Sequence, residues 1–100
     1  MHRITIQYVT PQDPEAFDRQ YLDQHAPLVE KLPGLQAFTW SKPRLMAGDA
    51  DIYLVAELEF EDKDALKTAL TSPEMKTTAE DAATLGVAMT MFSGEVVTAF

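Results

Sequence analysis

The stretch "DPEAFDRQYLDQHAPLVEKLPGL", residues 13–35, predicts a helix with a defined start, an interruption and a defined end. Asp13 can accept a hydrogen bond from a backbone N–H of the first turn, and Pro14 suits the first helical position because no donor is needed there. At about 100° per residue, one face of this helix carries an apolar stripe that includes a histidine. The stripe consists of Phe17, Tyr21, His25, Leu28 and Leu32. We therefore expect His25 to face the protein core.

Pro27 interrupts this helix two residues after the histidine. Proline has no N–H to bond the Asp23 carbonyl, and its ring crowds that oxygen, so the turn from Asp23 to Pro27 should open. The segment then ends at "PGL", where Gly34 can adopt the positive φ of a tight turn. His25 is therefore predicted to lie in a turn that departs from a regular α-helix.

Segments on both sides of the helix predict four strands. They are the alternating residues 3–9, "LQAFTWSKP" (35–43), "DIYLVAELEF" (51–60) with its apolar side, and a last strand from about Val87, in which Gly94 predicts a bulge or bend. The loop "MAGDAD" separates the second strand from the third, as in a hairpin.

A second helical region lies between the third and fourth strands. Asp62 or an adjacent acid begins it, and Ser72 with Pro73 offers a second start, so this region is predicted to be broken or doubled. Its inward residues are expected to be Ala65, Leu66, Ala69 and Leu70. The resulting order β-α-β-β-α-β predicts a single α+β domain over residues 1–100, with the ferredoxin-like four-stranded antiparallel sheet and both helical regions on one face.

The sheet face opposite the helices is expected to carry apolar and aromatic side chains. The candidates are Val9, Tyr53 and Val55, with Phe38 and Trp40 or their neighbours, and Phe92 or Met91. A lone sheet keeps its outer face mostly polar, so this pattern favours a homodimer formed sheet against sheet. The alternative is a monomer with scattered exposed apolar residues.

Composition argues against several classes of function. The chain has 16 acidic and 8 basic residues and a net charge of −8, which opposes nucleic acid and anionic membranes as partners. No apolar run approaches the length of a signal peptide or a membrane span, and the absence of cysteine is compatible with the cytoplasm. His2 and His25 match no metal-ligand spacing, and no glycine-rich phosphate loop is present, so we expect neither a metal nor a nucleotide cofactor.

Four patterns in the chain resemble the EthD family, named for proteins encoded with ethyl tert-butyl ether degradation enzymes. They are the Phe17 to Tyr21 spacing, "HAPL" (25–28), "PGL" (33–35) and "SPEM" (72–75). The resemblance implies a dimeric α+β barrel, in which each ferredoxin-like subunit keeps a small-molecule pocket between its helices and its sheet. It also implies that the family histidine falls on His25 and the family aromatic on Tyr21, with Phe17 as a pocket wall. The wider superfamily includes cofactor-free monooxygenases, isomerases, decarboxylases, cyclases and haem-handling proteins, so the fold alone does not choose a reaction.

His25 and Tyr21 are the candidate catalytic residues. An imidazole can give or take a proton near neutral pH, and a phenol one turn away can donate to a carbonyl oxygen or an enolate. We also expect Leu28, Tyr8 and Trp40, together with the Phe17 wall, to contact a small hydrophobic ligand.

The favoured function is a cofactor-independent enzyme for a hydrophobic carbonyl or phenolic compound, acting as an isomerase, decarboxylase or monooxygenase. Three alternatives remain open: a structural His25 bonded to a carbonyl that Pro27 leaves free, a non-catalytic binding protein, and an assembly element with a filled pocket.

Overall fold

A computed structural model covers residues 1–100 and shows four strands and a set of helices in the predicted order. The strands are β1 (His2–Tyr8), β2 (Leu35–Ser41), β3 (Leu54–Phe60) and β4 (Met89–Glu95). The helices are α1 (Pro14–Gln20), a π-helical turn (Tyr21–His25), α2 (Ala26–Val29), α3 (Lys63–Leu70) and α4 (Pro73–Thr84). The strands form one antiparallel sheet in the order β2-β3-β1-β4, which is the ferredoxin-like α+β fold.

The helix starts follow the local chemistry of the sequence. Asp13 accepts a hydrogen bond from the Ala16 N–H at 3.2 Å, and Asp62 caps α3 in the same way. Ser72 accepts from the Met75 N–H and begins α4, so the second helical region is doubled, as predicted. Its inward face differs at one position, because Leu70 is exposed at the end of α3.

The core lies between the helices and one face of the sheet. The side chains of β1 and β3 alternate strictly, since Ile4 pairs with Leu58 and Ile6 with Ala56 across the two strands. These side chains, with Tyr8, Leu54 and Phe60, are buried beneath the helices. Gly34 has a φ of 74° and turns the chain from the helical segment into β2, as predicted.

A bulge in β2 decides between the two predicted alternatives for its outer face, which were Phe38 and Trp40 or their neighbours. Leu35 pairs with Phe60, but Ala37 rather than Gln36 pairs with Glu59, so one extra residue is inserted between them. Beyond this point every side chain of β2 is switched to the other face. Phe38 and Trp40 therefore lie on the helix side of the sheet, opposite Leu58 and Ala56, and not on the outer face.

The predicted outward position of Tyr53 is wrong, and of the bulge or bend predicted at Gly94 the bulge does not form. The Tyr53 hydroxyl donates to Asp18 of α1 at 2.9 Å, so this ring also lies towards the helices. Gly94 produces no bulge, because β4 keeps an unbroken register with β1 from Met89 to Glu95.

The outer face of the sheet is more polar than predicted. Arg3 lies on this face, and its Nε is 2.6 Å from Glu59 and 3.0 Å from Glu57. Val55 and Phe92 are its main apolar side chains, and Phe92 is 46% exposed. The homodimer remains a prediction. Its original argument, an outer face rich in apolar side chains, does not hold in the structure. No helix has the length and apolar character needed to cross a membrane.

Candidate functional site

The site begins with the wide turn that precedes Pro27. The Ala26 N–H donates to the Tyr21 carbonyl, five residues back, and residues Tyr21–His25 form a π-helical turn. Proline at position 27 cannot donate the next helical hydrogen bond, so the regular ladder is interrupted where the sequence predicted it. His25 is the last residue of this turn and is only 2% exposed.

The π turn changes which residue continues the buried stripe. A turn with one extra residue shifts all later positions around the helix axis. Val29, four residues after His25, is therefore buried at 2% exposure, whereas Leu28 is only half-buried and is not part of the stripe. The predicted spacing assumed a regular helix and for that reason selected Leu28 instead of Val29.

His25 has a charged partner that the sequence analysis missed. Its Nδ1 lies 3.0 Å from Oδ2 of Asp81, which is on α4, 56 residues further along the chain. The carboxyl side chain is 17% exposed and the imidazole 3%. The other ring nitrogen, Nε2, has no hydrogen-bond partner within the chain.

No signal in the sequence alone identifies Asp81 as this partner. Thr78 is buried in α4, and Asp81 follows it at a spacing of three, which places both on the same side of a helix. A carboxylate beside a buried helix face needs a partner, but only the packing of α4 against the π turn shows that His25 supplies it.

His25 lines a small apolar cavity between the helices and the sheet. The cavity has a volume of about 70 Å³, and eleven of its thirteen lining residues are hydrophobic, the exceptions being His25 and Thr78. Ile4, Ile6 and Tyr8 of β1 form one wall, and Met75 and Ala82 of α4 form part of another. Met89 and Met91 of β4 also line it and are partly exposed.

The size and lining of this cavity restrict what it can hold. Typical pockets for drug-sized ligands are about 300–1,000 Å³, so a cavity of about 70 Å³ accepts only a small molecule unless its walls move. Methionine side chains are flexible and adapt to different shapes, and three of them line this space. The arrangement suits a small apolar molecule whose polar atom faces His25.

Tyr8 places a phenol in the cavity wall. The residue is 1% exposed, and burial, assisted by the nearby negative charge of Asp81, raises its pKa to about 12. Burial also raises the pKa of Tyr21 well above its usual value, with a further contribution from Tyr8. Both hydroxyls therefore remain protonated at neutral pH and can act as hydrogen-bond donors.

Comparison with known proteins assigns the chain to a family. The model of the EthD domain matches residues 10–85. The chain belongs to the EthD family. It is 38% identical to an uncharacterised 11.0 kDa protein of the thcB–thcC intergenic region of Rhodococcus erythropolis, over 97% of this chain and 98% of that one.

Solved structures resemble this EthD chain at two levels. A crystal structure of an EthD family protein from Bacillus halodurans C-125 is 30% identical, with a TM-score of 0.88, over 97% of this chain and 99% of the other. The cofactor-independent oxygenase SnoaB from Streptomyces nogalater has a TM-score of 0.71 at 18% identity, over 97% of this chain and 93% of the other. The second likeness shows the fold alone.

The residues that the EthD resemblance selected fall into two groups. His25 faces the cavity, but Tyr21 and Phe17 do not line it. Instead, their rings stack at 5.8 Å between centroids, and both pack edge to face against Tyr8. The aromatic pair therefore lies behind the cavity wall that Tyr8 forms.

Trp40 and Leu28, like Phe17, are predicted ligand contacts that lie away from this cavity. Trp40 is 40% exposed and packs edge to face on Tyr21 at 6.2 Å. Together with Asp18 and Lys42 it lines a separate space of about 40 Å³. The structure brings together His25, Tyr8 and Asp81, and no group of three metal-binding side chains is present.

Proposed function

We propose that this EthD protein is a cofactor-independent enzyme that moves a proton on a small hydrophobic carbonyl or phenolic compound. The observation that carries the proposal is a buried imidazole that lines an apolar cavity with one ring nitrogen unbonded. A base must reach the proton that it takes, and Nε2 is the ring nitrogen of His25 that is not bonded to another group of the chain.

The proposed step needs only two side chains. His25 accepts a proton from the carbon beside a carbonyl, or from a phenol, and the electron pair moves to the substrate oxygen. The protonated Tyr8 hydroxyl donates a hydrogen bond to that oxygen and stabilises the negative charge that develops there. Return of the proton from His25 to a different atom of the substrate completes an isomerisation without any co-reactant.

The structure favours Tyr8 over Tyr21 for this second role. Tyr8 lines the cavity with His25, whereas Tyr21 packs behind it. The fold of the oxygenase SnoaB supports the proposal only in the sense that a protein of this architecture is described as cofactor-independent. A catalytic role for Tyr21 remains the competing assignment, and mutation separates the two.

The test starts from ligands found by NMR screening of small cyclic ketones and phenols, with turnover followed as proton exchange in deuterated buffer. His25→Ala should lower turnover by about 10²-fold to 10⁴-fold while binding changes far less. Tyr8→Phe should also lower turnover, and Tyr21→Phe, the matched control, should leave it nearly unchanged. Binding by wild type without any turnover would replace the enzyme with a carrier, and a larger loss in Tyr21→Phe than in Tyr8→Phe would return the catalytic hydroxyl to Tyr21.

A further inference from the structure

The contact between α4 and the π turn joins two groups that are far apart in sequence. Nδ1 of His25 and Oδ2 of Asp81 are 3.0 Å apart, which is hydrogen-bond distance. No other carboxyl oxygen of Asp81 and ring nitrogen of His25 lie within hydrogen-bond distance of each other. A carboxylate only accepts hydrogen bonds, so the proton in this contact lies on the imidazole.

We propose that Asp81 is a positioning residue that holds His25 in the tautomer with its proton on Nδ1, leaving Nε2 as the atom that accepts the substrate proton. The inference rests on the proposed function and deepens it by naming the reactive nitrogen. A neutral imidazole carries one proton, and the hydrogen bond at one nitrogen decides the state of the other. Because Asp81 accepts from Nδ1, Nε2 is left with a free lone pair.

The surroundings of the pair support this role over a simple surface ion pair. The imidazole is almost completely buried and packs beside the ring of Tyr21, with 5.3 Å between the centroids. The nitrogen remote from Asp81 belongs to a residue that lines the cavity, and it makes no other contact of hydrogen-bond length within the chain. If the ion pair only stabilised the fold, there would be no reason for Nε2 of His25 to lack a hydrogen-bond partner.

Asp81 also affects the second proposed group. Its negative charge is close enough to Tyr8 to disfavour the phenolate, which adds to the effect of burial in raising the pKa of Tyr8. Asp81 thus orients His25 as an acceptor at Nε2 and adds to the burial that disfavours ionisation of Tyr8. Tyr8 and His25 both line the cavity, so a small molecule bound there lies next to both residues.

The substrate class follows from this pairing. A molecule with a single oxygen that accepts from Tyr8, and an acidic C–H or O–H within reach of Nε2, satisfies both groups. Compounds with several charged groups do not fit, because all other lining residues except Thr78 are hydrophobic. A small enolisable ketone or a phenol meets these requirements, whereas a phosphorylated compound does not.

The tautomer can be measured without any knowledge of the substrate. Nitrogen-15 NMR of the imidazole rings distinguishes the two tautomers of a neutral histidine, and His2 is the only other histidine in the chain. At a pH where both rings are neutral, His25 should show one protonated nitrogen, Nδ1, and one unprotonated nitrogen, Nε2. His2 makes no such contact with a carboxylate and should show the tautomer mixture of a free imidazole.

Two variants on α4 complete the experiment. Asp81→Asn keeps the shape but can donate from its amide, so the single tautomer of His25 should be lost, and turnover of any substrate should fall by at least about 10-fold. Glu80→Gln makes the same change of charge at the neighbouring exposed position and should leave the tautomer of His25 and the turnover unchanged.

The outcomes distinguish this inference from the proposed function. A wild-type His25 with its proton on Nε2, with both nitrogens protonated, or with the same mixture as His2 would overturn the role of Asp81, even if turnover exists. An unchanged tautomer in a folded Asp81→Asn variant would do the same. A single Nδ1–H tautomer with no turnover of any compound would support the positioning role of Asp81 and would rule out the proposed enzymatic function.

Discussion

Replacing Ala82 with leucine tests whether the cavity beside His25 is open space that function requires. Ala82 lies on α4 and lines the cavity of about 70 Å³. Cavities in protein cores cost about 24 cal/mol per Å³, so filling this one completely would recover up to about 1.7 kcal/mol. Imperfect fit reduces this gain, and we expect Ala82→Leu to raise the free energy of unfolding by about 1 kcal/mol.

The assay compares urea and thermal unfolding of wild type, Ala82→Leu and Ala83→Leu. Ala83 is the next residue on the same helix and is exposed, so it carries the same change of helix propensity without filling the cavity. For a domain of this size, about 1 kcal/mol corresponds to a rise in Tm of about 4–8 °C. Any small molecule that binds wild type should bind Ala82→Leu at least about 10-fold more weakly, and Ala83→Leu normally.

Two results would refute this reasoning. If Ala82→Leu is no more stable than Ala83→Leu, the space beside Ala82 is not an unfilled cavity. If Ala82→Leu is more stable but binds ligands as wild type does, the cavity exists and is not the ligand site. The first result concerns packing and the second concerns function, so the stability and binding measurements answer separate questions.

Three further predictions concern the helix register, the pH dependence and the assembly. Val29→Ala should lower the free energy of unfolding by about 2 kcal/mol and Leu28→Ala by about 1, measured by urea titration, and the reverse order would show a regular helix in place of the π turn. Burial raises the pKa of Tyr8 from 10.0 to about 12, so its contribution to the free energy of unfolding is complete below pH 10 and is lost as the pH rises towards 12. Tyr8→Phe should therefore reduce the fall of the urea midpoint between pH 10 and pH 12, and an unchanged fall would contradict this reasoning. Light scattering should give twice the mass of one chain, and Arg3→Ala should weaken this dimer by leaving two glutamates of β3 without a counter-charge, whereas one chain's mass at micromolar concentration would rule the dimer out.

The sequence by itself determined the features that depend on neighbouring residues. Asp13 caps α1, Gly34 makes the turn into β2 and the residues around Pro27 leave the regular helix, each as predicted. These effects act within one turn of the chain, so the residue types involved are sufficient to predict them. The strand order followed as well, because the alternation of apolar residues and the order of elements leave few topologies. The inward position of His25 was also correct.

Only the tertiary structure decided which distant residues meet in the site. The partnership of His25 with Asp81 joins positions 56 residues apart, and no local pattern specifies it. The π turn brought Val29 to the core in place of Leu28, and the bulge in β2 turned Trp40 to the helix side. A single inserted residue changes the face of every side chain after it, and whether it is inserted depends on the packing of the whole sheet and helix layer.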